Sequence, residues 1–296
     1  VNVHLLGVRG STPAPGEPFA RYGGHTSCVA VAAAGESSPT LLLDAGTGAR
    51  NLDALLGAAP FRGTILLTHL HWDHTQGLPF TRCLDRPDAR VELRVPAQHG
   101  RSAAALLDRS MSPPSFPIGI SDLRGQWRAR LVRPGRLTVP PRFAITAAEV
   151  PHKGGRTFGY RVSADGASLA YLPDHALAGR PTAAALRLAA GVDVLLHDAS
   201  NGFGDRAAAS AYGHSSIDDA IRFARVCRAR SLVLIHHSPG RTDTELDALA
   251  ARIAAGRDLD VADGADLGGD GLVVSIGSEG QVIRCGEPAE APVQVG

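Results

Sequence analysis

The chain has 296 residues, 44% of them hydrophobic and 20% charged, with a formal net charge of +1. These are globular values with room for a substantial core, and they exclude a disordered chain. A charge so near zero gives no general pull toward nucleic acid or membrane, so any such role needs a local patch.

Lysine occurs only at Lys153, so nearly all basic residues are arginine. Cys28, Cys83, Cys227 and Cys285 form no CxxC pair. That excludes a zinc ribbon and a disulfide scaffold and predicts a reducing compartment, the cytoplasm. No apolar run reaches membrane-spanning length, and the opening residues alternate like a strand rather than a signal peptide. The expectation is therefore a cytoplasmic protein without membrane contact.

In chain order, apolar runs predict strands over 1–8, 28–33 and 41–43, the last ending at Asp44. Gly, Pro and Ser clusters at 10–16 and 35–39 supply the turns between them. A short helix is expected over 49–56, then a buried strand over 64–68. That strand delivers Thr68-His-Leu-His-Trp-Asp-His-Thr75, with four metal-binding side chains, His69, His71, Asp73 and His74, inside six residues. Alternate residues of an extended chain share a side, so His69 and His71 can hold one metal while Asp73 and His74 turn toward a second. Imidazoles beside a hard carboxylate suit zinc, or manganese or iron where oxygen ligands are more numerous.

Further along, a strand over 91–95 precedes a helix over 97–109 with Ala103, Leu106 and Leu107 on one face. Prolines break the pattern at 112–117, and 111–136 is expected to form a lid or arm. This region carries Arg124, Arg128, Arg130, Arg133 and Arg136, a basic stretch suited to a phosphate backbone. Strands follow over 130–132, 143–149, 157–162 and 168–172, then a helix over 181–190 and a strand over 192–196. A helix over 216–226 is capped by Ser215 or Ser216, with Asp218 and Asp219 in its first turn. A strand over 232–235, a helix over 243–255 and a strand over 271–276 complete one domain over 1–286, with 287–296 as a loose tail. Two strand-rich layers with helices outside suit this order.

Three further candidate ligands stand at the mouths of apolar strands: His152 after 143–149, Asp174 after 168–172 and His236 after 232–235. Site residues are commonly mounted there. His236 continues its strand, so the adjacent His237 is expected behind the site or exposed. Asp44, at a strand end beside a Gly-rich turn, is expected to brace the histidine loop or orient an imidazole rather than touch metal. His25 is a candidate for the site mouth, while His4, His99 and His175 read as surface or packing residues.

From about residue 3 to 276 the chain resembles the metallo-β-lactamase superfamily of metal-dependent hydrolases. Within it, the chain is most similar to the phosphodiesterase branch of tRNA 3′-end processing endonucleases and cyclic-phosphodiester hydrolases. Thr68-His-Leu-His-Trp-Asp-His74 matches the family's metal signature, and Leu41-Leu-Leu-Asp-Ala-Gly-Thr-Gly48 its glycine-rich turn. His152 precedes a Phe-Gly-Tyr-Arg strand as in the branch, while His197-Asp-Ala-Ser200 and Gly213-His-Ser-Ser216 resemble two endonuclease segments.

The resemblance implies an α+β fold, a four-layer αββα sandwich of two mixed sheets with helices outside. It also implies that His69, His71 and His152 hold one metal, that Asp73, His74 and His236 hold the other, and that Asp174 bridges. Asp174 stands where lactam-cleaving members use cysteine, which counts against a β-lactamase.

The function expected is hydrolysis of a small or cyclic phosphodiester by a metal-bridging hydroxide that Asp73 orients. His214 is the candidate proton donor, with Asp198 to hold its tautomer. Arg9 and Arg161 are candidate phosphate contacts, an exposed arginine being the commoner reading. Two divalent ions are implied, zinc first, and a homodimer by analogy. The alternatives are a tRNA 3′-processing endonuclease, with RNA as the partner, and hydrolysis of a lactone or thioester.

Overall fold

In this computed structural model the described residues are 1–137, 139, 142–177, 179–255 and 271–286. The tail expected over 287–296 lies outside them. The chain builds β1 (Asn2–Gly7), β2 (Cys28–Ala32), β3 (Leu41–Leu43), β4 (Arg62–Leu66), β5 (Arg90–Pro96) and β6 (Gln126–Val132) into a first sheet. β7 (Gly135–Leu137), β8 (Ala144–Val150), β9 (Thr157–Ala164), β10 (Ala167–Leu172), β11 (Val194–Asp198), β12 (Ser231–Ile235) and β13 (Val273–Ile276) form a second. β14 (Val282–Arg284) returns to pair with β1, so the first sheet runs β14-β1-β2-β3-β4-β5-β6 and the second β13-β12-β11-β10-β9-β8-β7. Both are mixed: β1–β3 and β7–β10 pair antiparallel, β3–β6 and β10–β13 parallel.

The period-2 alternation of the strands sorts their side chains into two faces. Leu41 and Leu43 on β3, Leu169 and Tyr171 on β10, and Val233 and Ile235 on β12 point into one apolar core between the sheets. Leu42 turns the other way, toward α1 (Leu52–Leu56) and α3 (Ala103–Leu107). Ala170, Leu195 and Leu234 turn toward α4 (Ala183–Ala189), α6 (Ile217–Val226) and α7 (Asp243–Ala254). This is the αββα sandwich with helices outside.

Between α1 and α3 lies α2 (Trp72–Thr75), a single turn inside the histidine loop, and between α4 and α6 lies α5 (Arg206–Tyr212). α7 starts on a capping box, Thr242 accepting from the Glu245 amide and Glu245 from the Thr242 amide. α6 differs from expectation. Its N-cap is Ser216, but that hydroxyl donates to Asp219 Oδ2 at 2.8 Å instead of accepting from the helix.

The segment expected as a lid or arm is corrected in its second half. Residues 126–131 alternate exposed and half-buried along a strand of the first sheet that ends at buried Val132, and Met111, Ile120 and Leu123 pack into that sheet's outer cluster. The helix expected over 97–109 shrinks to α3, because His99 and Gly100 take positive φ of 45° and 72° and stop any earlier start.

Candidate metal centre

β4 ends at Leu66, and its continuation is pinned by Asp44, whose Oδ1 accepts from the Thr68 amide at 2.7 Å. From there His69 to His71 runs extended, with His71 as the N-cap of α2 at φ −66° and ψ 153°. That places the two rings on one side, centroids 4.3 Å apart. The helical turn then adds Asp73 and His74, with the His74 ring centroid 4.2 Å from that of His69. The loop can fold this tightly because Gly46 lacks a side chain: a Cβ there would meet the Asp73 carbonyl at 2.1 Å.

The second sheet brings the remaining groups. His152 Nε2 comes to 3.4 Å from His71 Nδ1 and 3.5 Å from Asp174 Oδ1. Asp174 also reaches His74 Nε2 at 3.0 Å and His236 Nε2 at 3.4 Å. Asp73 Oδ2 lies 3.3 Å from His74 Nε2 and 3.2 Å from His236 Nε2. One ligand atom per residue falls within 4.8 Å of the others in the sets His69–His71–His152, His69–His74–Asp174 and Asp73–His74–His236. All seven candidate ligands, drawn from four separate stretches of the sequence, therefore meet in one cluster. Asp174 stands between the two halves.

His214 joins the cluster at its edge. Its Nδ1 is 2.8 Å from Asp198 Oδ2 and 3.8 Å from Asp174 Oδ1. The structure thus brings His214 and Asp198 together as a hydrogen-bonded pair.

Burial lowers the pKa of His69, His71 and His152, with neighbouring histidines lowering it further. These imidazoles are held in the neutral form that a metal needs. Burial also pulls on His74, but Asp73, Asp174 and Asp44 outweigh it and hold this ring well above its ordinary value. Burial would raise Asp73 and Asp174, yet the imidazoles around them drive both below the carboxylate range. Buried carboxylates thus demand positive charge here, which a proton on His74 or a cation can meet.

Two observations test whether a metal fits. His74 Nε2 and Asp174 Oδ2 are buried without a hydrogen-bond partner, although they face each other at 3.0 Å. Buried polar atoms are normally satisfied, so this pair is suited to an ion between them. Second, the far nitrogens of the rings are already engaged: His74 Nδ1 with Asp44 Oδ2 at 2.7 Å, His152 Nδ1 with the Gly213 carbonyl at 2.6 Å and His69 Nδ1 with Thr68 Oγ1 at 3.0 Å. Such outer bonds fix the tautomer and aim the free nitrogen inward. The residues fit divalent metal.

The other sequence candidates lie elsewhere. His237 is buried behind the cluster with Nε2 2.9 Å from the Gly277 carbonyl. His175 is a packing residue, its ring against His197 and Phe223. His25 contacts Thr47 and Glu279 rather than the cluster. Arg9 is fully buried, donating to the carbonyls of Gly23 and Arg241, and so braces the loop after His236 instead of meeting phosphate. Arg161 donates to the Leu188 and Ala190 carbonyls at the end of α4. Neither arginine faces the site.

Sequence reasoning missed Ser11, whose amide donates to Asp73 Oδ2 at 2.7 Å. A serine in a Gly-Ser-Thr-Pro turn carries no sign of that contact. It also passed over Trp72, Lys153 and Tyr212, which line the cavity of about 720 Å³ in front of Asp73, His152 and His214.

A family profile described as the beta-lactamase superfamily domain matches residues 40–237. Ribonuclease BN of Erwinia tasmaniensis is 26% identical over 299 residues, covering 86% of this chain and 95% of that protein. Ribonuclease Z of Nocardia farcinica is 30% identical over 243 residues, covering 67% and 77% respectively. Among solved structures, the metallo-beta-lactamase fold protein YhfI of Bacillus subtilis shares the fold with a TM-score of 0.68 at 17% identity, over 96% of this chain and 99% of that one. Profile, relatives and fold agree with the clustered histidines and aspartates: the chain belongs to the metallo-β-lactamase superfamily of metal-dependent hydrolases, in the branch of the ribonuclease Z and BN enzymes.

Proposed function

We propose that the chain is a dinuclear phosphodiesterase acting on a small phosphodiester. In this reading His69, His71 and His152 would hold one divalent cation and Asp73, His74 and His236 a second, with Asp174 close enough to serve both sets. The carrying observation is the buried, unsatisfied pair His74 Nε2 and Asp174 Oδ2 at the junction of the two ligand sets. Zinc suits the mixture of imidazole and carboxylate, manganese and iron being the alternatives. When bound, such ions supply Lewis acidity and an acidified water.

The protein's own groups do the rest. Asp73, fixed by the Ser11 amide, orients the attacking water as well as ligating. His214 is held through Nδ1 by Asp198, which leaves Nε2 to present a proton to the leaving oxygen. A cavity of about 720 Å³ suits a substrate of nucleotide size. Four unpaired, buried cysteines support a reducing compartment such as the cytoplasm. Among the described residues no helix is long and apolar enough to cross a membrane.

A second reading, tRNA 3′ processing, is favoured by the names of the relatives and by exposed Arg128 and Arg130 on β6. Metal analysis with parallel assays of bis(p-nitrophenyl) phosphate, a p-nitrophenyl acyl ester and a tRNA precursor tests these readings. Phosphodiester cleavage with two metals per chain is expected. Cleavage of the acyl ester alone would overturn the proposal, and steeply salt-dependent tRNA binding with precise cleavage would favour the second reading. Full turnover by Asp73→Ala with both metals bound would refute the assembly described.

A further inference from the structure

Trp72 and Tyr212 are 73% and 68% exposed, unusual for rings of this size in a chain with 5% aromatic residues. Both line the one cavity that also holds Asp73, His152 and His214. Neither stacks on another ring among the described residues. Both rings are mounted on helices. Trp72 opens α2 between the proposed ligands His71 and Asp73, and Tyr212 closes α5 next to Gly213, whose carbonyl engages His152 at 2.6 Å. One ring therefore belongs to the first sheet's loop and the other to a helix of the second sheet. Lys153, the single lysine, lines the same cavity. Its ammonium donates to the Ala211 carbonyl at 3.0 Å, and no carboxylate pairs with it among the described residues.

We infer that Trp72 and Tyr212 are stacking platforms for the bases on the two arms of the scissile phosphodiester, with Lys153 offsetting phosphate charge, so that the substrate is a nucleotide. The inference rests on the phosphodiesterase reading and narrows it. Every base offers a π-face, so two exposed rings and one cation select for nucleotides without reading sequence. A base-free sugar phosphate would leave both rings wet.

The test compares the diribonucleotide ApA with its two forms that each lack one base. Stacking one base on one ring corresponds to about a 5- to 150-fold gain in affinity. Each base removal is therefore expected to lower kcat/KM within that range, mostly through KM. Trp72→Ala and Tyr212→Ala should each reproduce the loss for one arm and have no effect on the form already lacking that base, with Trp72→Phe rescuing in part. Metal content should stay that of the wild type.

A readout independent of turnover is the fluorescence of Trp72. AMP should quench it, ribose 5-phosphate should not, and the quench should vanish in Trp72→Phe, leaving Trp127 as the remaining indole. Equal losses with and without the base, or no AMP quench, overturn the inference while cleavage of bis(p-nitrophenyl) phosphate keeps the phosphodiesterase reading. Quenching without any phosphodiester cleavage would overturn the phosphodiesterase reading, and with it the assignment of the rings to the arms of a scissile phosphodiester. A change of oligomeric state in Trp72→Ala with unchanged base discrimination would assign the rings to contact between copies and sink the proposal.

Discussion

The first sheet supplies four clustered side chains from a single strand end, His69, His71, Asp73 and His74 after β4. The second sheet supplies its share one strand end at a time: His152 after β8, Asp174 after β10, Asp198 closing β11 and His236 after β12. The first set is local, so its geometry follows from one extended step and one helical turn. In the second, Asp174, Asp198 and His236 come together only when parallel strands β10, β11 and β12 are in register, since only then do their ends line up. What the first set contributes to metal binding is thus a matter of loop shape. Binding to the whole cluster is coupled to the fold of the second sheet.

Asp174→Ala breaks that comparison most severely, because Asp174 is the group that touches both halves, reaching His69 at 3.9 Å, His74 at 3.0 Å, His152 at 3.5 Å and His236 at 3.4 Å. Activity should fall to background and metal content below two per chain, as measured by emission spectrometry of the dialysed protein. The second-largest effect is expected from His214→Ala. Loss of a proton donor typically costs about 10²- to 10⁴-fold in rate. Here the metal content should stay unchanged. A large loss of metal would make His214 a ligand of the second half, an arrangement its approach to Asp198 and His236 also allows.

The contrast between local and assembled parts also explains what could be read in advance. The strands of the αββα frame announced themselves as short apolar runs, because each sheet buries both faces, as Leu41 to Leu43 illustrate. The histidine loop was legible for the same reason, being short and dense. Asp44 was legible as a brace because a carboxylate at a strand end beside a tight turn has few other uses. α5 was not legible: Arg206–Tyr212 is a run of alanines with little apolar periodicity, held by its neighbours rather than by its own pattern. Arg9 was misread because no local feature distinguishes an exposed arginine from one buried against a carbonyl, that of Arg241, more than 200 residues away. The contact of Ser11 with Asp73 is likewise purely tertiary.

Gly10→Ala sharpens the comparison from the side of the second sheet. A Cβ at this position would stand 2.3 Å from His236 Nδ1, so the ring must move. Overpacking of this kind costs about 1–3 kcal/mol. The expected result is weaker binding at the site proposed for Asp73, His74 and His236 and retention at the one proposed for His69, His71 and His152. Chelator competition followed stepwise would show one weakened site, whereas equal weakening of both would mean that the two halves do not act separately.

Asp44→Asn is the gentlest intervention and tests the first sheet. Asp44 adopts a positive φ of 60° and gathers the Thr68 amide at 2.7 Å, His74 Nδ1 at 2.7 Å and the Tyr171 hydroxyl at 3.0 Å. His74 and Tyr171 share Oδ2, while the Thr68 amide takes Oδ1. A side-chain amide has one accepting oxygen. After the substitution either the Thr68 amide or the His74–Tyr171 pair must face an NH₂ group, and His74 loses the negative charge behind it. Outer groups of this type typically carry about a 10- to 100-fold share of metal affinity. The site containing His74 should weaken by that order. Because Tyr171 comes from β10, the junction between the sheets should also loosen, visible as a lower Tm in the metal-free protein. A variant that loses metal affinity without any drop in the metal-free Tm would show that Asp44 acts through His74 alone and that the two sheets are joined at this point by the ligands rather than by their brace.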